Sequence, residues 1–346
     1  MDIIIFTLTG ANNIGAFLQA FSLAEVLKAE GHNPAFAKFS APASNGAAVK
    51  LEKILKYACH GKMKLLLYKI RSNKKYDEAR KTLNFKDFDE TVCCDAAVIG
   101  SDEVWNVSSD SFIHQPQYFG ERLKADRIIS YAPSAGNTTV VQMQESGIDF
   151  QRFTNLSVRD ETTYNLVCCL DDRKPEIVLD PTFLIDTYDP FLPKVVDNTG
   201  YILVYSYGEN IDIKSVKEFS EKVNLPLYSV GTYNSWCHKN IIVSPFEFLS
   251  YLKEAKYVIT STFHGTALSI KFNKQFVVYP GTSEKILSLL NEFYLNERNA
   301  AKSNDLQITF SKEINYETVN EILEEKRRKS LSFLLSALSA NIGGRI

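Results

Sequence analysis

The sequence predicts an α/β protein of two Rossmann-like halves. Three observations carry this. The chain has 346 residues, more than one ordinary core uses and suited to two domains. Short apolar runs alternate with stretches whose apolar residues recur at helical spacing, the pattern of parallel sheets covered on both faces. The alternation then restarts after TYDPFLPKVVDNTG at 187–200, which has two prolines and a turn-like end.

The first half, 1–190, opens with an apolar strand at Ile3 to Leu8, the loop TGANNIG, and a helix from about Ala16 to Glu30. Phe17, Phe21, Ala24 and Leu27 fall at helical spacing on that helix, and Gly31 stops it. DAAVIG (95–100), RIISYAP (127–133), NLSVRD (155–160) and EIVLDP (176–181) read as further strands ending in polar residues or Gly. Residues 41–90 break the rhythm, first Ala/Ser-rich and then basic and helical, and read as an insertion. The second half, 200–315, restarts with YILVYSYG (201–208), then a helix, then LPLYSV. SPFEFLSYLKEA reads as a helix capped by Ser244 with Pro245 at its first position. The strand YVIT, a helix from about His264, the strand QFVVY and a helix from about Ser283 complete it. A final helix, about Tyr316 to Leu338, occupies the C-terminal piece 316–346.

Composition narrows the function classes. Lys plus Arg number 39 against 41 Asp plus Glu, which argues against bulk nucleic-acid binding. The six cysteines show no CxxC spacing, and His residues are few, so no zinc site is expected. Adjacent pairs such as Cys93–Cys94 are poor disulfide partners, so reduced, mostly buried thiols of a cytoplasmic protein are expected. The start MDIIIF shows no secretion signal, and no run of about 20 apolar residues occurs. Residues 61–81 hold eight Lys or Arg around Leu65, Leu66, Leu67, Tyr68 and Ile70. Such a stretch is either an anionic-membrane surface helix or a solvated helix with one buried face.

Six segments fall in order along the chain: GANNIGAFLQAFSLAEVLKAEGH (10–32), VIGSDEVWN (98–106), SYAPSAG (130–136), SVRDE (157–161), LDPTFL (179–184) and SPFEFLSYLKEAKYVITSTFHGTALSIKFNKQFVVY (244–279). Together they resemble the polysaccharide pyruvyl transferase family over roughly 1–40 and 92–290. The resemblance implies a two-domain, glycosyltransferase-like (GT-B-like) fold with the active site between domains. It also implies transfer of a pyruvyl group from phosphoenolpyruvate to two hydroxyls of a glycan, forming a ketal in capsular or exopolysaccharide synthesis. The acceptor would be lipid-linked, with peripheral contact at the inner membrane face through 61–81. Such chemistry requires no metal or cofactor. A nucleotide-sugar glycosyltransferase and a non-catalytic glycan-binding relative are the alternatives. The oligomeric state is not legible.

Phosphoenolpyruvate needs cationic or N–H donors for its carboxylate and phosphate, and an acid and a base for its carbons and the incoming hydroxyl. His264, in STFHG after a strand, stands where open α/β sheets bind ligands, and it can exchange a proton near neutrality. Ser261, Thr262 and Gly265 flank it at a helix start whose N–H groups favour an anion. Better-studied relatives have Arg at the position of Thr262, so Lys285 is a candidate replacement. Arg159 matches a family arginine thought to hold the donor and suits bidentate binding; otherwise it pairs on the surface with Asp160 or Glu161. Asp102 is matched to an acid–base or acceptor role, with helix capping the alternative, and Glu103 is a second choice. Ser101, Ser130 and Tyr131 are placed near the cleft, and Trp105 either stacks on a sugar or is buried. Asn13 and Gly15 lie in a loop suited to a phosphate of the acceptor or simply to a tight turn.

Overall fold

The computed structural model describes residues 1–39, 63–109, 115–194, 200–207, 210–302 and 305–339. The strands are β1 (Asp2–Phe6), β2 (Asn33–Lys38), β3 (Phe85–Asp87), β4 (Cys93–Ile99), β5 (Lys124–Ser130), β6 (Ser157–Val158), β7 (Glu176–Ile177), β8 (Ile202–Tyr205), β9 (Leu227–Val230), β10 (Lys239–Ile241), β11 (Tyr257–Thr260) and β12 (Phe276–Val278). The α-helices are α1 (Ile14–Ala29), α2 (Met63–Arg80), α3 (Val140–Glu145), α4 (Glu161–Leu170), α5 (Ile213–Val223), α6 (Pro245–Glu254), α7 (Phe263–Lys271), α8 (Glu284–Glu292), α9 (Leu306–Ser311) and α10 (Tyr316–Ser339).

The two halves share one topology. The first sheet runs β3-β2-β1-β4-β5 and the second β10-β9-β8-β11-β12, all pairs parallel. In each sheet the order reverses beside the first strand of the half, which opens a crevice at the carboxyl edge. The central strands are buried on both faces, as Ile3 to Phe6 and Ile202 to Tyr205 show, so they read as continuous apolar runs rather than alternating ones. NLSVRD and EIVLDP contribute only two residues each, to a separate parallel pair, β6–β7. Edge strand β3 lies inside the stretch expected to be an insertion; the sheet-forming chain therefore resumes before residue 90. Residues 41–62 of that stretch lie outside the described residues, as does part of the expected link, 195–199.

Helix α1 has no polar face. Every residue from Ile14 to Leu27 except Glu25 is buried, because the helix lies between the two halves. Phe17 and Phe21 meet Phe246 of α6 at 5.5 and 4.9 Å in edge-on geometry, and Phe21 meets Phe191 at 4.9 Å. Burying each such ring contributes about 1.5–3 kcal/mol, so this seam fastens the two sheets together. The capping box expected at Ser244 is present, with Glu247 completing it. Helix α10 crosses back over the first half: Ser330 Oγ accepts from the Leu179 N–H at 2.9 Å, and Arg327 Nε donates to the Leu184 carbonyl at 2.8 Å.

The cysteines depart from expectation. Among the described cysteines, Cys93, Cys168 and Cys169 are exposed, Cys94 is half-buried and only Cys237 is buried, all unbridged, since Cys93, Cys168 and Cys169 sit at the solvent ends of β4 and α4. Cys59 lies outside the described residues. Helix α2 buries Tyr68, Tyr76 and Ala79, while Met63, Leu67 and Ile70 are exposed. No helix among the described residues is long and apolar enough to cross a membrane.

Candidate active site

The carboxyl edges of both sheets converge on one buried carboxylate, Asp180. It caps a short 3-10 turn, Pro181–Phe183, through Oδ1, which accepts from the Thr182 N–H at 3.0 Å and the Thr182 hydroxyl at 2.8 Å. That leaves Oδ2 for three other groups. Arg159 Nη1 donates to it at 3.1 Å, His264 Nε2 stands 3.4 Å away, and Ser101 Oγ donates at 3.3 Å. Burial alone would push the Asp180 carboxyl up. The neighbouring His264 imidazole and the Arg159 guanidinium outweigh burial and hold it well below the ordinary carboxylate range.

His264 is the second residue of α7, directly after β11. Thr262 caps that helix, its Oγ1 accepting from the Gly265 N–H at 2.9 Å. Thr262 and Gly265 thus set the helix start, and Ser261 Oγ shares a hydrogen bond with Ser206 Oγ at 2.8 Å. The imidazole rests on Gly15: a Cβ there would lie 2.0 Å from His264 Nδ1. Gly15 is therefore a packing requirement of the histidine. Asn13 caps α1 by accepting from the Ala16 N–H at 3.0 Å, the tight-turn alternative, although it also borders the cavity.

Arg159 follows β6 with its side chain only 2% exposed. It is not the surface partner of Asp160 or Glu161. Besides Asp180 it has Asp102 at 3.7 Å, and its guanidinium lies over the Phe263 ring at 4.5 Å. Its Nε and Nη2 are buried without hydrogen-bond partners, two donors that the protein itself leaves unused. Asp102 follows β4 and adopts φ 71°, an unusual conformation for a residue with a Cβ. The Glu103 N–H, not a helix terminus, is what its Oδ1 accepts from, at 3.0 Å.

These groups wall a cavity of about 270 Å³ between the halves, with Asp102, Glu103 and Arg159 on one side and Tyr207, Thr262, His264 and Lys285 on the other. Lys285 is paired across the cleft with Glu103. Burial pushes the Glu103 carboxyl up, and the Lys285 ammonium more than offsets this, so it stays below its ordinary value. Lys285 reaches the cavity, but through a carboxylate partner that a donor anion would have to replace. Helix α8 begins here, and its first cap residue, Ser283, makes no side-chain capping bond.

Trp105, Ser130 and Tyr131 do not reach the cavity, and Ser101 stands behind it. Trp105 is fully buried, donates Nε1–H to the Tyr118 carbonyl at 2.8 Å and packs edge-on against Phe150 and Phe153; no face is left for a sugar. Ser130 donates to the Ser157 carbonyl at 2.8 Å, and Tyr131 is buried with its hydroxyl on the Leu179 carbonyl at 3.1 Å. Ser101 is buried behind Asp180 and supports that carboxylate. Asp180 itself was missed; its only sequence signal is an acidic residue between an apolar run and Pro181. The described residues contain no cluster of ligands able to hold a metal.

A family model described as polysaccharide pyruvyl transferase matches residues 13–282. The comparison with curated proteins gave no match. Among solved structures, the UDP-GlcNAc 2-epimerase of Methanocaldococcus jannaschii is similar, with TM-score 0.50 and 11% identity over 98% of this chain and 99% of that one. The UDP-GlcNAc 2-epimerase of Neisseria meningitidis bound to UDP-GlcNAc gives TM-score 0.50 and 9% identity over 99% and 100%. At such identities the likeness is one of fold, the two-domain GT-B-like architecture that the twin sheets display.

Proposed function

Since the chain belongs to the polysaccharide pyruvyl transferase family, we propose that it moves a pyruvyl group from phosphoenolpyruvate to a pair of hydroxyls on a lipid-linked glycan. The observation that carries this is the meeting of Arg159 and His264, from opposite halves, on one oxygen of Asp180 beside a cavity also walled by Lys285.

The residues divide the work as follows. Arg159, with Nε and Nη2 unpaired, and Lys285 hold the carboxylate and phosphate of the donor. His264 gives a proton to the methylene carbon, which becomes a methyl group. The first sugar oxygen bonds to the neighbouring carbon while its proton passes to Asp102 or, once freed from Lys285, to Glu103. Phosphate leaves with the C–O electron pair, and the second hydroxyl closes the ketal as its proton passes to His264, which gave up its own to the methylene carbon. Asp180 keeps the imidazole and guanidinium in register. This chemistry calls for no cofactor. Basic helix α2 and its exposed Met63, Leu67 and Ile70 support docking on an anionic membrane surface from the cytoplasmic side.

Incubation with phosphoenolpyruvate and a panel of lipid-linked sugars, read by mass spectrometry, tests the reaction; the product should carry the added mass of a pyruvyl ketal. A thermal-shift screen tests the donor. Phosphoenolpyruvate at 100 times its Kd should stabilise the fold by about 2.7 kcal/mol. Stabilisation by a nucleotide and none by phosphoenolpyruvate would replace the proposal with a nucleotide-sugar transferase.

A further inference from the structure

A second cavity, of about 290 Å³, adjoins the first along Glu103, Ser261, Ser283 and Lys285. Loops of both halves wall it, bringing Asn137 and Asp160 from one side and Asn210, Thr282 and Glu284 from the other. Its size is near the lower end for small-molecule sites, about 300 Å³.

Asp160 supplies the clue to the occupant. It is 6% exposed. Its Oδ1 caps α4, accepting from the Thr163 N–H at 2.9 Å and the Thr163 hydroxyl at 2.7 Å. Its Oδ2 is buried and has no hydrogen-bond partner. Buried carboxylate oxygens are rarely left without a donor. Lys285, the one cation bordering this cavity among the described residues, is paired with Glu103. The wall therefore presents the carboxylates of Glu103, Asp160 and Glu284, together with amides and hydroxyls. A ligand with its own negative charge would be repelled. A polyol fits both halves of this chemistry, because each hydroxyl donates one hydrogen bond and accepts others.

We propose that this cavity is the acceptor subsite and that it takes an uncharged pyranose, with one ring hydroxyl donating to Asp160 Oδ2. The subsite rests on the donor reading above for the direction of transfer. A ring seated there has Glu103 at the boundary with the donor cavity, where the reacting hydroxyls would lie. A uronic acid or a sugar phosphate is excluded from this position, so a diphosphate linked to the acceptor extends out of the cavity.

Two variants test the site. Asn137 is exposed, so Asn137→Trp fills the cavity without disturbing the core. Asp160→Asn keeps an oxygen to cap α4 but puts an amide in place of the second carboxylate oxygen. Binding of methyl β-D-glucopyranoside, methyl β-D-galactopyranoside and methyl β-D-glucopyranosiduronate is followed by saturation-transfer NMR and calorimetry on the full chain. The wild type should bind at least one neutral glycoside and not the uronate. Each variant should weaken that binding at least tenfold while melting within a few degrees of the wild type. Phosphoenolpyruvate titration reads the donor cavity separately, and Asn137→Trp should leave it unchanged. Binding of the uronate alone, or equal glycoside binding by the wild type and Asn137→Trp, overturns the subsite. Unchanged glycoside binding in Asp160→Asn overturns the role of Asp160. If phosphoenolpyruvate fails to bind a wild type that does bind neutral glycosides, the donor reading falls and the sugar site stands.

Discussion

Replacing Gly15 by Ala should cripple turnover while leaving the protein folded. Gly15 lies in the first turn of α1 and has no positive φ that would bar another residue. On an ordinary helix the change would stabilise by about 0.5–1 kcal/mol. Here the new Cβ would lie 2.0 Å from His264 Nδ1 and 2.1 Å from Cγ. Carbon contacts are comfortable at about 3.5–4.0 Å, so the imidazole must move by roughly 1.5 Å. It is bounded by Asp180 at 3.4 Å, so movement pulls it off its partner. Overpacking of this kind costs about 1–3 kcal/mol, which the helical gain partly offsets. Melting should fall by only a few degrees, at about 2–4 °C per kcal/mol. Misplacing a catalytic group by about 1 Å costs about 100-fold in rate. Phosphate release from phosphoenolpyruvate in the presence of acceptor, measured beside a melting curve, separates the two effects. Wild-type turnover in a folded Gly15→Ala protein would show that the histidine's position is not what the chemistry needs.

Four other outcomes are expected. His264→Asn should lower turnover by about 10²–10⁴ with donor affinity kept; unchanged turnover would remove the histidine from the proton transfer. Arg159→Lys should weaken phosphoenolpyruvate binding in calorimetry although the charge is kept, because the planar two-pronged donor is lost; equal affinity would make Arg159 purely structural. Asp180→Asn should destabilise by about 3–5 kcal/mol by leaving buried Arg159 without its nearest carboxylate. Because the folded-state pKa of Asp180 is depressed, its stabilisation is present above about pH 4 and is lost as pH falls below that; urea midpoints of Asp180→Asn should accordingly show a shallower acid loss than the wild type, and parallel curves would refute the coupling. Finally, changing Lys64, Arg71 and Lys74 to Gln should reduce sedimentation with anionic vesicles, by about 1 kcal/mol for each residue near the surface; a wild type that stays in the supernatant at low salt would end the membrane proposal.

The sheets were legible because parallel central strands must be apolar on both faces, and runs such as IIIF and YILVY can hardly be anything else. The cap at Ser244 was local too, decided within four residues. His264 was legible for the same reason: a strand, a short turn and a helix fix where the next side chain points. Ser130 and Tyr131 misled because residues at or just past a strand end can face the cleft or the core, a choice made here by the Ser157 carbonyl and by Phe333, while Trp105 took the buried one of its two readings, against Phe150 and Phe153. The alternation of polar and apolar residues carries no record of that choice.

Asp180 was the larger omission, and its role cannot be read from local pattern. It sits in a 3-10 turn with no periodicity, and its partners Ser101, Arg159 and His264 are 79, 21 and 84 residues away. What makes it central is a sum of charges. A lone buried carboxylate is strongly disfavoured, so Asp180 persists in the core only while Arg159 and His264 stay beside it. Those partners come from different halves of the molecule, and the carboxylate therefore binds the halves together beside the cavity we propose for the donor. Gly15 and the Phe17–Phe21–Phe246 seam act on the same line, pressing α1 against α7 and α6. The site is thus assembled by the interface rather than carried on either half. A change that loosens the seam, far from any reacting atom, should cost activity before it costs secondary structure.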